Sequence, residues 1–210
     1  MNRIVYPPQR VAQKRTCPPE RVARRRMLAT VFVLITLSQA GTFTQGGQPP
    51  KIATDITAAE VQAVINAPTG GGDRQMKVVD IGKYNVSVGV LRRGKTKPGA
   101  PVGAINHEHV TEVYYIVSGS GTLLTGGTVD GVKPLPADGE VVKVAVGPSN
   151  QGTFRQAAQT RKVGPGDIVI IPAGVYHGFT DVEDHVDYVS VRPDPDHVLP
   201  AGYVHPLLKK

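Results

Sequence analysis

Short runs in which apolar and polar side chains alternate dominate the chain after residue 70. In the clearest run, Tyr84, Val86, Val88 and Val90 alternate with polar or small residues, which is the period of an amphipathic β-strand. Further strands are predicted at residues 76–81, 112–117, 140–146, 167–171 and 186–191. Gly, Pro, Asn and Asp separate these runs, and no long helical pattern follows residue 70. The fold class predicted from this pattern is all-β, either a sandwich or a barrel.

One short helix is predicted before the strands. Thr57 and Glu60 have the spacing of a capping box, and apolar residues follow them at helical intervals. We therefore expect a helix near residues 58–66, preceded by a linker rich in Gly, Thr, Gln and Pro at residues 41–52. Residues 41–74 are accordingly assigned to a linker and this short helix.

The first 40 residues have the pattern of an export signal. Three arginines at residues 24–26 precede an apolar run at residues 27–37, and small side chains follow at Ser38 and Ala40. Residues 1–40 are therefore predicted to be a signal peptide region cleaved after Ala40, and the protein to be exported, either periplasmic or secreted. The alternatives are a buried helix and a membrane anchor. Because spanning a bilayer takes about 20 apolar residues, no stable membrane span is expected after processing.

The charge distribution argues against nucleic acid as a partner. The formal charge is +7, but the first 40 residues carry eight of the 24 basic residues and one of the 17 acidic residues. The rest of the chain is therefore neutral, and with no Trp and 5% aromatic residues it lacks a basic surface with stacking rings. The single cysteine, Cys17, lies in the predicted signal region, so a metal site in the mature chain must use His, carboxylate or water.

The stretch "GPGDIVIIPAGVYHGF", residues 164–179, places a histidine just past an apolar strand. Both faces of residues 166–171 are apolar, so this strand is predicted to be buried on both sides. Pro172 ends the strand pairing and Gly174 allows a bend, after which His177 follows. Taken alone, His177 is better explained as a histidine bonded to a backbone carbonyl than as a ligand.

A second stretch, "GAINHEHVTEVYYIVSGSGTL" at residues 103–123, supplies further candidate ligands. His107 and His109 are spaced by two, two residues separate His109 from Glu112, and six residues separate Glu112 from Gly119.

Together the two stretches resemble the cupin superfamily. The second motif has Gly166, five residues, Pro172-Ala-Gly174, two residues and His177; Asp181 stands where the family often has Asn. The first motif has two residues between the second His and Glu112, where the family usually has three or four. Residues 103–127 and 161–181 look most like small exported single-domain cupins.

The resemblance implies a jelly-roll β-barrel over residues 75–193, with a C-terminal tail at residues 194–210. It implies a divalent transition metal, Mn, Fe, Zn or Ni, held in the barrel by His107, His109, Glu112 and His177. The partner implied is a small-molecule ligand or substrate. Since cupins often pair through sheet edges, a homodimer is a further expectation by analogy.

The short spacing of the first motif leaves two alternatives open for His109. If Val110 and Thr111 form a two-residue turn, His107, His109 and Glu112 share one face of a hairpin. If residues 108–111 form a four-residue loop, His107 pairs with Glu112 across the hairpin. Ile105 then takes the position of the first histidine, and His109 moves to the rim. In both alternatives His107 and Glu112 point inward.

Three further side chains are expected to line the pocket. They are Tyr114, which shares the strand face of Glu112, Ile105, and Val175, which lies two residues before His177. Arg92 and Arg93 are expected to face solvent, and Arg192 to pair with Asp194 or Asp196 or to reach an anionic ligand. Residues 147–154, "GPSNQGTF", are interpreted as a loop over the barrel mouth or a surface insertion.

Two hypotheses for function remain at this point. In the first, the protein is an exported metal-dependent enzyme, of oxygenase or isomerase type, that acts on a small polar molecule. In the second, it is a non-catalytic ligand-binding cupin that has lost tight metal binding. No dedicated general base can be recognised in the sequence.

Overall fold

The computed structural model of the protein describes residues 50–68 and 72–209. The predicted signal region at residues 1–40 lies outside these residues. In the part of the chain that is described, no helix has the length and apolar character needed to cross a membrane.

The described residues contain one α-helix, α1, which runs from Ala58 to Ile65 and carries the capping box expected from the sequence. The Thr57 hydroxyl accepts a hydrogen bond from the Glu60 backbone N–H, and the Glu60 carboxylate accepts one from the Thr57 backbone N–H. These bonds satisfy backbone donors that have no partner inside the helix, which explains why the helix begins here.

Eleven strands follow α1 in the described residues. They are β1 (Asp73–Asp80), β2 (Asn85–Gly94), β3 (Gly103–His107), β4 (Glu112–Gly119), β5 (Gly121–Thr125), β6 (Thr128–Pro134), β7 (Ser149–Gln156), β8 (Gln159–Val163), β9 (Ile168–Ile171), β10 (His177–Thr180) and β11 (His185–Asp194). A π-helical segment, Val141–Val146, lies between β6 and β7, and a 3-10 turn, Pro206–Leu208, follows β11.

The strands form two antiparallel sheets. One has the order β1-β2-β11-β4-β9 and the other β6-β7-β3-β10-β5-β8. Consecutive strands often belong to different sheets, so the chain passes back and forth between them and rolls them into a jelly roll. The predicted all-β jelly-roll fold with a short N-terminal helix is therefore confirmed.

The apolar core has an inner part between the sheets and an outer part under α1. The inner cluster joins Leu91, Tyr114 and Tyr188 of the five-stranded sheet to Leu123 of the six-stranded sheet. The outer cluster joins Val64 and Ile65 of α1 to Met76 and Val90 on the opposite face of the β1–β2–β11 sheet. Burial of this apolar area on both faces stabilises the five-stranded sheet.

The predicted strand at residues 140–146 is wrong. Val141–Val146 is π-helical, with Ala145 and Val146 buried. The run VVKVAV is too short for its apolar pattern to distinguish a strand from a helical turn.

The prediction that residues 166–171 are buried on both faces is also wrong. Strand β9 lies at the edge of its sheet and pairs with β4 alone. Val169 and Ile171 pack on the core, but Ile168 and Ile170 on the outer face are 62% and 67% exposed. An apolar strand at a sheet edge can thus leave one face in water.

Residues 147–154 are not a loop over the mouth. Most of them belong to β7, which pairs with β3 on one side and β6 on the other. In this ladder Ser149 of β7 lies opposite His107 of β3.

Candidate metal centre

Three donor side chains from different strands converge inside the barrel. His107 ends β3 and His177 begins β10, and the pairing of His177 with Ile105 brings these two strands together in one sheet. Glu112 begins β4 in the facing sheet. The three side chains are 4%, 3% and 1% exposed, respectively.

The distances between the donor atoms fit a shared ion. Oε2 of Glu112 lies 3.3 Å from Nε2 of His107 and 3.2 Å from Nε2 of His177. One ligand atom from each residue lies within 4.8 Å of the others. Atoms bound about 2.1 Å from one metal ion stand about 3.0 to 3.4 Å apart in octahedral or tetrahedral geometry. The group could therefore hold a metal ion.

The hydrogen bonds of His107 determine which of its nitrogens carries the proton. Its Nδ1 lies 2.9 Å from Oγ of Ser149, and the Ser149 hydroxyl donates to the carbonyl of Gly147 at 2.8 Å. Because that hydroxyl proton is already used, Ser149 accepts from Nδ1–H of His107. The lone pair of Nε2 is then free and points toward Glu112.

A backbone carbonyl orients the ring of His177 in the same way as Ser149 orients that of His107. Its Nδ1 lies 3.1 Å from the carbonyl oxygen of Val175, which can only accept a hydrogen bond. Nδ1 of His177 therefore carries a proton, and its Nε2 also faces Glu112 Oε2. Such bonds to the second ring nitrogen are usual for histidines that bind metals.

The second oxygen of Glu112 is held by a buried network. Oε1 accepts hydrogen bonds from the Ser190 hydroxyl and from Nε of Arg192, each at 2.9 Å. Arg192 is fully buried, and its remaining donors reach Asp73, the Gln75 side chain and the Ala145 carbonyl. The carboxylate plane is thereby fixed, so that Oε2 is the atom turned toward the histidines.

These surroundings determine the protonation of the site. Burial disfavours the charged form of Glu112, but the charge of the buried Arg192 outweighs this effect and holds the pKa of Glu112 well below its usual value. Burial lowers the pKa of His107, although Glu112 partly offsets this effect. Glu112 is thus a carboxylate and His107 a neutral imidazole near pH 7.

A cavity of about 410 Å³ opens beside the three donors, within the size range of pockets for small molecules. Tyr114 and Ile105 line it together with His107, Glu112 and His177. The rest of the lining is Gly72, Asp73, Leu91, Arg93, Leu135, Pro136, Gly139, Glu140, Val141, Val142 and Val146. The sequence suggested that residues 147–154 cover the barrel mouth; in the structure, residues within 135–146 border the cavity instead.

The structure does not bring His109 into this group. Residues 108–111 connect β3 to β4, and the partly exposed His109 has its Nδ1 2.7 Å from Oδ2 of Asp196. This position agrees with the four-residue loop alternative. The hairpin assumed in both alternatives is wrong, however, because β3 and β4 belong to different sheets.

The expected pocket residues have different positions. The Tyr114 hydroxyl donates to Oε2 of Glu112 at 2.7 Å, and Ile105 lies next to the donors. Val175 packs its side chain against the core and faces the site only with its carbonyl.

Two arginines of the site were not assigned to it from the sequence. Arg192 lies on the inner face of β11 with Tyr188 and Ser190, and this alternation is visible in the sequence. Arg93 lines the cavity, whereas it was expected to face solvent. The alternating valines of β2 suggested that the face with Val90 points into the barrel. In the structure Val90 packs under α1 on the outer face, and Leu91, on the same face as Arg93, packs inside.

No protein-family model and no curated protein matches the sequence. Solved structures of similar fold include BH2720 of Bacillus halodurans, with 14% identity over 75% of this chain and 92% of that one and a TM-score of 0.44. A Klebsiella pneumoniae protein with a double-stranded β-helix domain has 15% identity over 69% and 93%, with a TM-score of 0.38. The Schizosaccharomyces pombe Cnp3 cupin domain has 11% identity over 62% and 71%, also with a TM-score of 0.38.

At these identities the likenesses concern the fold alone, and the site is argued from this chain's own geometry. That geometry contains two antiparallel sheets rolled around a cavity, with His107 and Glu112 of the first motif and His177 of the second meeting inside it. This geometry agrees with the resemblance to the cupin superfamily that the two sequence motifs carry.

Proposed function

We propose that this chain is an exported cupin that binds a divalent transition metal through His107, Glu112 and His177. A small polar molecule would bind in the adjoining cavity. One observation supports the metal above all others: two imidazole nitrogens, with their protons on the opposite side of each ring, face one carboxylate oxygen at 3.2 and 3.3 Å. A cation between them would offset the repulsion among three lone-pair donors this close in a buried site.

The donor set agrees with this proposal. Two imidazoles and one carboxylate suit Mn, Fe, Zn or Ni, and do not select among them. When bound, such a metal supplies Lewis-acid activation of a ligand oxygen or of a bound water. The protein's own residues do the rest: Ser149 and Val175 orient the imidazoles, while Arg192 and Ser190 hold the carboxylate.

The test is elemental analysis of protein purified without a His tag. About one equivalent of metal per chain is expected in the wild type, and a double substitution of His107 and His177 to Ala is expected to abolish it. His109→Ala is the matched control, because this histidine comes from the same motif but lies outside the donor group. Less than about a tenth of an equivalent in the wild type would remove the metal from the proposal.

A non-catalytic protein that binds its small molecule without a tight metal is the second candidate. It is favoured by the buried partners of Glu112, since Arg192, Ser190 and Tyr114 already compensate the carboxylate. In the same elemental analysis, this candidate gives metal-poor protein whose stability is unaffected by a chelator.

Export is proposed from the N-terminal sequence, with cleavage after Ala40. The mature protein would then begin at Gly41. Mass spectrometry of the protein recovered from the periplasm or medium of an expressing bacterium tests this directly. Recovery only from the cytoplasm with residues 1–40 retained would contradict export.

A further inference from the structure

We propose that Arg93 anchors the carboxylate of the small molecule in the cavity, and that this ligand is a small monocarboxylic acid with an apolar body. The inference rests on the proposed function, because it places the ligand beside the three donors. It adds a substrate class and a residue that binds it.

Arg93 is held in place at one end of its guanidinium group. The side chain is half-buried in the cavity wall, and its Nε donates to the Tyr188 hydroxyl at 3.1 Å. Tyr188 is itself fully buried and stacks on Tyr114 with ring centroids 4.3 Å apart. The guanidinium therefore has a fixed anchor, which lowers the entropy lost when it binds a ligand.

The outer nitrogens of Arg93 are available to a ligand. Within residues 50–68 and 72–209, its two Nη atoms make no hydrogen bond or ion pair. The two arginines nearby differ in this respect. Arg192 uses all three nitrogens on protein acceptors, and Arg92 makes two bonds of 2.7 Å to the carboxylate of Asp187.

Alternation along β2 explains why these neighbours differ. Arg92 and Arg93 are adjacent, so their side chains leave opposite faces of the sheet. Arg93 shares the inner face with Leu91, which also lines the cavity, while Arg92 lies on the outer face with Asp187. Arg92 is thus a natural control for Arg93.

The charges of the site favour an anionic ligand. Two carboxylates, Asp73 and Glu112, balance two guanidiniums, Arg93 and Arg192, in the inner part of the site. A bound divalent metal adds positive charge that an anionic ligand offsets. Glu140 also lines the cavity but is exposed, so its charge is screened by solvent.

The remaining walls specify an apolar body. Leu91, Ile105 and Val141 are among the aliphatic side chains that line the cavity, and its volume of about 410 Å³ suits a small ligand. A guanidinium with two free nitrogens matches the two oxygens of a carboxylate. Together these features select a small monocarboxylic acid over a sugar or a polyphosphate.

The experiment is calorimetric titration of the full-length protein, with its metal content measured, against propionate, hexanoate, benzoate and their primary amides. At least one acid is expected to bind, with its amide about tenfold weaker or worse, because the amide lacks the charge. Arg93→Met is expected to lower the affinity for that acid about tenfold or more, and Arg92→Met to change it less than about twofold. Side-chain Nε–Hε NMR signals should show Arg93, and not Arg92, shifting as the acid binds.

Arg93→Lys keeps the positive charge but loses the paired nitrogens of the guanidinium, so its affinity for the acid should fall between those of the wild type and Arg93→Met. Melting curves show whether each variant folds. The inference is overturned if no acid binds, if acids and amides bind equally, or if Arg93→Met and Arg93→Lys both fold and bind like the wild type. Metal content separates the two proposals. Acid binding through Arg93 in a chain without metal overturns the metal proposal alone, and a metal-loaded chain indifferent to Arg93 overturns this one alone.

Discussion

Arg192 illustrates how much a single buried residue decides in this barrel. Its guanidinium is fully buried and joins two carboxylates, Glu112 at 2.9 Å and Asp73 at 2.6 Å. Arg192→Met would leave both carboxylates without this partner in a poorly solvated site. We expect the free energy of unfolding to fall by about 3 to 5 kcal/mol, measured by urea denaturation with a chelator present.

Arg155→Met is the control for this prediction. Arg155 forms its ion pair with Asp130 on the surface, where it is 69% exposed, so its loss is expected to cost less than about 1 kcal/mol. Similar losses in the two variants would show that the buried network contributes no more than a surface pair does.

Ser149 provides a second test at the scale of one residue. Its hydroxyl accepts from Nδ1 of His107 and so keeps the lone pair of Nε2 toward Glu112. Ser149→Ala removes this hydrogen bond but leaves all three proposed ligand residues unchanged. We expect metal affinity, measured by competition with a chromophoric chelator, to fall about tenfold or more.

The matched control for that measurement is Ser118→Ala. The Ser118 hydroxyl donates to Asp187, away from the cavity, so metal affinity should stay within about twofold of wild type. An unchanged affinity in Ser149→Ala would mean that the strand backbone alone orients His107.

The candidate site could be predicted from sequence only where a motif fixed the order of residues. His107, Glu112 and His177 were expected to converge, and they do lie together. Arg93 was missed because a shift of one residue moves a side chain to the other face of a strand. The inward face of β2 could not be recognised from the sequence, because its outer face is also apolar: Val90 and its neighbours there are covered by α1.

At the scale of elements, the sequence predicted those helices and strands whose boundaries depend on contacts between nearby residues. The capping box of Thr57 and Glu60 starts α1 through contacts within four residues, so the sequence alone was sufficient. Strand β9 and the π-helical segment Val141–Val146 were mispredicted because their environment depends on distant partners. A short apolar run does not reveal whether a sheet, a cavity or water will lie against it.

The junction of β4 and β5 gives a prediction for one element. Gly119 has a φ of +67°, and a Cβ atom built there would lie 2.0 Å from the carbonyl oxygen of His185. Gly119→Ala should therefore lower the free energy of unfolding by more than about 1 kcal/mol, because the backbone of β4 or of β11, which begins at His185, must shift.

Gly164→Ala is the control for Gly119→Ala. Gly164 has nothing within 4 Å of a built Cβ and no positive φ, so the change should stay within about 0.5 kcal/mol of wild type in the same denaturation experiment. Equal stability of the two variants would mean that the turn at Gly119 relaxes without cost.

At the scale of the whole molecule, the site links the two sheets. Glu112 comes from the five-stranded sheet, while His107 and His177 come from the six-stranded sheet. Any change in the charge of these side chains therefore acts on the contact between the sheets, and the stability of the whole barrel should depend on pH.

The direction of this dependence follows from two lowered pKa values. Burial lowers the pKa of His107 below 6.5, so as the pH falls through this region the unfolded chain gains a proton that the folded chain does not. The lowered pKa of Glu112 has the same effect at lower pH, below 4.5. The free energy of unfolding of the metal-free protein should thus fall on acidification from about pH 7.5, by at most about 1.4 kcal/mol per pH unit for each proton.

Urea denaturation in a chelator at about pH 7.5, 6.5 and 5.5 measures this dependence, and the slope is compared rather than the absolute stability. His107→Gln removes the titrating group and should flatten the slope between about pH 6.5 and 5.5. The pKa of the half-buried His205 is also lowered, by burial and by Arg74, so His205→Gln should remove a smaller part of the slope. A barrel that gains stability on acidification, or a slope unchanged in His107→Gln, would show that His107 is not held neutral between the two sheets.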